Sequence, residues 1–232
     1  MDSSKPKLVI AIDGPAGAGK STIAARLARK LGYVNLESGA MYRALALKAI
    51  RSDVSFDDEP ALLRLAQQSS IKLQPVMEGN RVLLDGTDVS HRIREQDVTE
   101  AASRVSVHPR VREWMVERQR EMGDRGGIVM EGRDIGTKVF PNADVKIFLD
   151  AEPDVRQDRR IRQRVAQGSQ ERPDQLAAEL RERDLRDRTR TVSPLVAAED
   201  AVVIDSSKLS IDEVVRKAEE LVAKKQAGTT LS

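Results

Sequence analysis

LVIAIDGPAGAGKST, residues 8–22, decides the fold. Its first part, Leu8, Val9, Ile10, Ala11 and Ile12, is an unbroken apolar run, which predicts a strand buried on both faces. The run stops at Asp13, and GPAGAGKS follows, matching G-x-x-x-x-G-K-[ST]. Gly14, Gly17 and Gly19 let the backbone turn tightly and aim several N–H groups at one anion. Helical spacing then begins, with Ile23, Leu27 and Leu31 on one face. The loop thus hands its anion to a helix N-terminus, where orphan N–H groups and the dipole favour negative charge. In this pattern Lys20 reaches the β- and γ-phosphates of a nucleoside triphosphate, and the Ser21 hydroxyl is placed to ligate Mg²⁺.

Outward from that stretch the βα rhythm continues. YVNLES (33–38) reads as a second short strand and AMYRALALKAIR (40–51) as its helix; a parallel α/β sheet is the consequence. Asp57, Asp58, Glu59 and Pro60 signal another helix start. The segment 71–93 interrupts the rhythm. It holds three short β-like pieces separated by Glu78-Gly79-Asn80 and Asp85-Gly86, both hairpin signals, and so predicts a small antiparallel insert. Helical spacing returns over 96–122, with a break at His108-Pro109. Two apolar strands follow, 128–130 and 145–149, then two charged helices, 153–166 and 173–188, with a break at Gly168-Ser169. A last strand, 201–204, and a helix over 211–225 close the pattern, and AGTTLS (227–232) reads as a loose tail. The fold class is therefore α/β with a five-stranded parallel sheet over 8–12, 33–36, 128–130, 145–149 and 201–204. Ligands of such sheets bind outside the carboxyl ends of the strands. Asp13, Ser38, Glu131, Arg133, Asp134 and Asp150 all stand at those ends.

Composition narrows the function. The 232 residues contain no cysteine, which excludes disulfides, thiolate metal sites and a cysteine nucleophile and suits a cytoplasmic enzyme. No apolar run is long enough for a membrane span, and MDSSKPK at the start has no apolar leader core. Charged residues are 33% of the chain but leave a net charge of only +2, so nucleic acid is not an expected partner; aromatics, at 3%, are too few for stacking platforms. Arg43, one turn past Ser38-Gly39, and Arg133, just past a strand end, are placed to fork onto an acceptor phosphate. Arg43 alone would also read as a solvated helix residue. Arg156, Arg160 and Arg164 share one helical stripe, with Arg159 beside it. The charged run from 181 to 190 by itself reads as a solvated face with i,i+4 pairs, and Ser103 as a small residue at a helix contact.

SGAMYR, EGRDIGTKVFPNADVKIFLDA and RERDLRDRTR, together with GPAGAGKST, resemble the bacterial cytidylate kinases, over nearly the whole chain. The resemblance implies a P-loop nucleoside-monophosphate kinase: one domain with a core (about 1–66, 106–150 and 191–232), a monophosphate-binding insert (about 67–105) and an Arg-rich helical lid (about 151–190). It implies a reaction of pyrimidine nucleotide metabolism, ATP plus CMP or dCMP giving ADP plus CDP or dCDP, in a cytoplasmic monomer. By similarity Gly14, Pro15, Ala16, Gly17, Ala18, Gly19, Lys20, Ser21 and Thr22 hold ATP, with Ser21 on Mg²⁺. Arg43 and Arg133 match the arginines on the CMP phosphate. Ser38 lies at the nucleotide pocket, and Ser103, Arg112 and Asp134 match the cytosine-reading positions. Asp134 and Ser103 can accept from the cytosine N4 amino group and Arg112 can donate to N3 or O2, whereas the O4 of uracil would face a carboxylate. Arg183 and Asp187 match ribose contacts and Arg190 a further pocket arginine. Arg156 and Arg160, in the lid, are the candidates for neutralising charge on the transferred phosphoryl group. Glu131 stands where many relatives carry Asp, placing its carboxylate on a longer arm. Three other readings compete: a kinase for another monophosphate, a GTPase switch, which the missing N-K-x-D motif opposes, and a nucleic-acid-dependent ATPase, which the balanced charge opposes.

Overall fold

The computed structural model describes residues 7–76, 79–166 and 172–229. The apolar run forms β1 (Val9–Asp13) at the centre of a parallel sheet, with Ile10, Ala11 and Ile12 fully buried. The sheet is completed by β2 (Val34–Glu37), β6 (Ile128–Gly132), β7 (Val145–Asp150) and β8 (Val202–Asp205), in the order β2-β6-β1-β7-β8. Pairing runs Ile12↔Glu131 and Asp13↔Gly132 on one side of β1 and Ile12↔Ile147 on the other. The chain leaves β1 toward one side of the sheet for β2 and later fills the other side with β7 and β8, so the crevice at the end of β1 is a topological switch point.

The helix α1 (Lys20–Leu31) begins directly after Gly19, which is left-handed at φ 98°. It ends on Gly32, also left-handed, whose N–H donates to the Ala28 and Arg29 carbonyls. Its face of Ile23, Ala24, Leu27 and Ala28 packs with β1, β7 and the last helix, α8 (Ile211–Thr229), in one apolar cluster. On the other side of the sheet α2 (Ser38–Arg51) is the centre of a second cluster, joined by α3 (Glu59–Gln67), α4 (Gln96–Val105) and α5 (Pro109–Gly123). Asp58 caps α3, accepting from the Ala61 N–H at 2.9 Å. No helix among the described residues is long and apolar enough to cross a membrane.

The expected insert is present as a three-stranded antiparallel sheet, β3 (Ile71–Val76), β4 (Gly79–Leu84) and β5 (Thr87–Asp88). Asp85 and Gly86, at φ 51° and 81°, make the two-residue turn between Leu84 and Thr87. The other turn signal is different. Glu78 lies outside the described residues, and Asn80 is a buried member of β4 rather than a turn residue. Its side chain brackets β2: Oδ1 accepts from the Glu37 N–H (3.0 Å) and Nδ2 donates to the Asn35 carbonyl (2.8 Å). The insert is thereby fixed to the strand that precedes Ser38. Ile71, Val82 and Leu84 share the cluster of α2, so insert and core have one apolar interior on this side.

The two arginine-rich helices are α6 (Pro153–Ala166) and α7 (Pro173–Thr189); the break expected at Gly168-Ser169 lies outside the described residues. Several boundaries move: β1 and β2 each lie one residue later than the expected 8–12 and 33–36, and β6 runs on to Gly132. β8 is displaced one residue from the expected 201–204, and as the edge strand it leaves Val203 59% exposed. Helix α8 continues past 225 to Thr229, so the first half of AGTTLS is helical rather than loose.

Candidate active site

The phosphate loop sits where β1 and β7 end side by side. A Cβ on Gly14 (φ +148°) would lie 1.9 Å from the Leu149 carbonyl oxygen, and one on Gly17 (φ +77°) 2.8 Å from that of Arg156. These two glycines are required by close approach as well as by conformation. Lys20 is buried at the start of α1, and its Nζ donates to the Pro15 carbonyl at 2.8 Å, across the mouth of the loop. Burial, together with the Arg133 guanidinium, pulls the Lys20 ammonium down to about 7. The negative charge of an arriving phosphate outweighs both influences and favours the ammonium. Nucleotide binding at pH 8 is therefore expected to take up a proton at Lys20. Calorimetry in buffers of different ionisation enthalpy measures the uptake, and Lys20→Met is expected to remove it.

The Ser21 hydroxyl donates to Glu131 Oε1 at 2.8 Å. Ser38, the first residue of α2, donates to the Glu131 carbonyl at 2.8 Å. Burial pushes the Glu131 carboxyl up, against the pull of Lys20. Two hard oxygen donors from the loop and from β6 thus meet at the phosphate side of the site, the donor chemistry that Mg²⁺ takes.

The acceptor-side residues expected from sequence converge in one cavity of about 200 Å³. Ser38, Arg43, Ser103, Arg112, Arg133, Asp134, Arg160, Arg183, Asp187 and Arg190 line it together with Lys20 and Ser21. Arg112 is 2% exposed and lies over the Tyr42 ring, 5.4 Å from its centroid. It donates to Asp134 Oδ2 at 2.5 Å and to the Ser106 carbonyl at 2.8 Å, fixing the carboxylate as an acceptor. Arg133 Nε donates to Asp187 Oδ2 at 2.8 Å, and Arg190 Nε to the Ser193 carbonyl at 2.6 Å. Burial raises the Asp187 carboxyl, but Arg133, Arg183 and Arg190 outweigh it and hold it low. Burial and the neighbouring Arg133 bring the Arg183 guanidinium down to about 10. So dense a group of cations is a site shaped for an anion.

Several participants were not among the sequence candidates. Glu37 pairs with Arg43; its own burial raises it, yet Arg43, with Arg94 and Lys20 near, holds it below the usual carboxylate range. Arg186 donates to the Ser103 hydroxyl at 2.6 Å, so α7 touches Ser103 directly. Tyr42 supplies the apolar face under Arg112. A Tyr one residue before Arg43 in SGAMYR is the available signal for Tyr42, and Glu37, six residues before Arg43, is close in sequence; Arg186 has none, because its partner Ser103 is 83 residues away.

On the arginine stripe of α6, Arg156 and Arg164 are buried. Arg160 lines the acceptor cavity and also a donor-side cavity of about 400 Å³ bounded by Gly17 to Ile23, Arg159 and Ser206. Arg156 lines neither. Its Nε donates to the Ala151 carbonyl, and its guanidinium joins the Ala16 carbonyl of the phosphate loop to Asp184 of α7. Arg159 donates to Ser206 Oγ and O at 2.9 and 2.7 Å, and Arg164 to Gln96 Oε1 at 2.9 Å.

A family model described as cytidylate kinase matches residues 10–224. The cytidylate kinase of Pasteurella multocida (strain Pm70) is 48% identical over 212 residues, 91% of this chain and 93% of that protein. That of Pelotomaculum thermopropionicum is 50% identical over 220 residues, 94% and 96% of the two chains. Among solved structures, a gluconokinase from Sinorhizobium meliloti 1021 superposes with a TM-score of 0.50 at 16% identity over 98% of each chain, a likeness of fold alone. With the phosphate loop, the acceptor cavity and the arginine-rich helices all inside the matched region, the chain belongs to the cytidylate kinase family.

Proposed function

We propose that the protein transfers the γ-phosphoryl group of ATP to CMP and dCMP, giving ADP and CDP or dCDP, as a cytoplasmic monomer of pyrimidine nucleotide metabolism. What supports this most is the single cavity in which Lys20, the acceptor arginines and the Arg112–Asp134 pair meet. Asp134, held as an acceptor by Arg112, faces the N4 amino group of cytosine, and the O4 of uracil in the same place meets a carboxylate. Arg112 donates to the base, with Ser103 beside it. Arg183 and Asp187 contact the sugar side, with Arg190 a further arginine of the pocket.

Residues 14–22 cradle the triphosphate, the bare backbones at Gly14 and Gly17 leaving no room for side chains. Ser21, with Glu131 behind it, would hold Mg²⁺. When bound, the metal neutralises charge between the transferring phosphates. Arg43 and Arg133 exchange Glu37 and Asp187 for the acceptor phosphate and hold it in line. Lys20 stays on the donor phosphates, and Arg160, carried by the lid, offsets the charge that spreads onto the moving group, while Arg156 braces the phosphate loop against α7 rather than reaching that group. A phosphate oxygen of CMP is already an anionic nucleophile, so positioning and electrostatics suffice without a general base. The division into core, insert and lid follows these roles: the core grips the donor, the insert steadies the strand before Ser38, and the lid brings the arginines.

ADP release with ATP, Mg²⁺ and each of CMP, dCMP, UMP, AMP and GMP tests the assignment. Turnover highest with CMP and dCMP is expected; equal turnover of UMP or AMP would refute it. Chelation of Mg²⁺ by EDTA is expected to abolish the activity and added Mg²⁺ to restore it. Arg156→Lys keeps the charge but not the fork joining Ala16 to Asp184. It is expected to lower kcat more than it raises the KM for CMP; a lowered Tm with unchanged kcat would confine Arg156 to holding the lid helices together.

A further inference from the structure

Asp13 is the residue from which the phosphate loop departs, yet its side chain reaches across to the residues that follow Asp134. It is buried, and each of its carboxylate oxygens has one partner: the Ile135 N–H donates to Oδ1 at 2.8 Å and the Gly136 N–H to Oδ2 at 2.7 Å. Those two residues directly follow Asp134. Strand register explains why the pieces are near, since Asp13 pairs with Gly132, but it fixes nothing beyond Gly132. From there the chain leaves the sheet and winds into a wide π-helical turn, Ile135–Val139. Within it the Lys138 and Val139 N–H groups donate to the Asp134 carbonyl and the Phe140 N–H to that of Ile135. A helical turn leaves the N–H groups at its start without internal partners. Asp13 meets that need, and does so from the strand that carries the donor loop.

We propose that Asp13 is a positioning residue for base recognition. By holding the Ile135 and Gly136 N–H groups it sets where Asp134 presents its carboxylate to cytosine, and it ties that place to the origin of the phosphate loop. The role rests on CMP being the acceptor. Burial pushes the Asp13 carboxyl up to about 6 while the two N–H bonds pull it back, so it remains an ionised double acceptor at pH 7.5. The fit is close: a Cβ on Gly136 would lie 3.4 Å from Asp13 Oδ2 and 3.2 Å from Lys146 Cδ.

Asp13→Asn is isosteric but turns one acceptor into an NH₂ that opposes a backbone N–H, so the turn must shift. Steady-state kinetics are expected to show the KM for CMP raised roughly tenfold and the CMP-over-UMP preference reduced by a similar factor, with the KM for ATP changed by less than about twofold. Gly136→Ala crowds the same contact from the other side and is expected to move CMP and selectivity in the same direction by less. A lowered Tm with CMP affinity and selectivity unchanged, or equal losses for ATP and CMP, would overturn the proposal. Should Asp13→Asn not fold, the Gly136→Ala kinetics decide by the same criteria. Wild-type turnover of CMP, measured alongside, tests the acceptor assignment separately.

Discussion

Lys20→Ala is expected to lower kcat for CMP phosphorylation by roughly 10³-fold or more while the fold survives. Lys20 is buried against the loop, with Pro15 as its partner and the carboxylate of Glu131 nearby. In a dry, preorganised site a cation acts with little screening, and it acts most strongly where charge builds up on the transferring phosphoryl group. Arg133, Arg160 and Arg183 remain in the variant, so the acceptor should still bind and the loss should fall on kcat. Circular dichroism and the thermal midpoint check the fold: a buried ammonium drawn down to about 7 contributes little to stability in the empty site, and removing it should cost little. Near-normal turnover would sink the assignment of residues 14–22 as the donor loop.

Asp134→Asn is the second large effect. Asparagine fills the same space but turns one acceptor into a donor that opposes the cytosine N4 amino group. The preference for CMP over UMP is expected to collapse by roughly 10- to 100-fold, with the KM for ATP unaffected. Asparagine is the better test than alanine. Removing one partner of a buried ion pair costs about 3–5 kcal/mol, and the Arg112 side chain is 2% exposed. The amide oxygen of asparagine still accepts from Arg112, so the fold is spared while the base contact changes. Equal losses for CMP and UMP would refute the base-reading role.

Much of this was legible in the chain itself. The run before Asp13, the glycines of the loop and the Asp85-Gly86 turn each depend on neighbours in sequence, and local rules read them. Arg43 and Arg133 were placed by the rule that strand ends carry the ligand. What stayed hidden depends on partners far apart in the chain. Asn80 resembled a turn residue because Gly79 precedes it, and only the packing of β4 on β2 makes it a bracket. Arg186 lies in the run that reads as a solvated face, and only the packing of α7 brings it to Ser103. The π-helical turn after Asp134 has no local signature, and its anchor, Asp13, is more than a hundred residues away. Arg156 is legible as one of three arginines on a helical stripe, but not as the link between the phosphate loop and α7.

The most direct measurement follows the phosphoryl group itself. With ATP labelled at the γ-phosphate, Mg²⁺ and CMP, label should appear in the β-phosphate of CDP, in one-to-one yield with ADP. Label released as inorganic phosphate, with CMP unchanged, would contradict direct transfer between the two halves of this site.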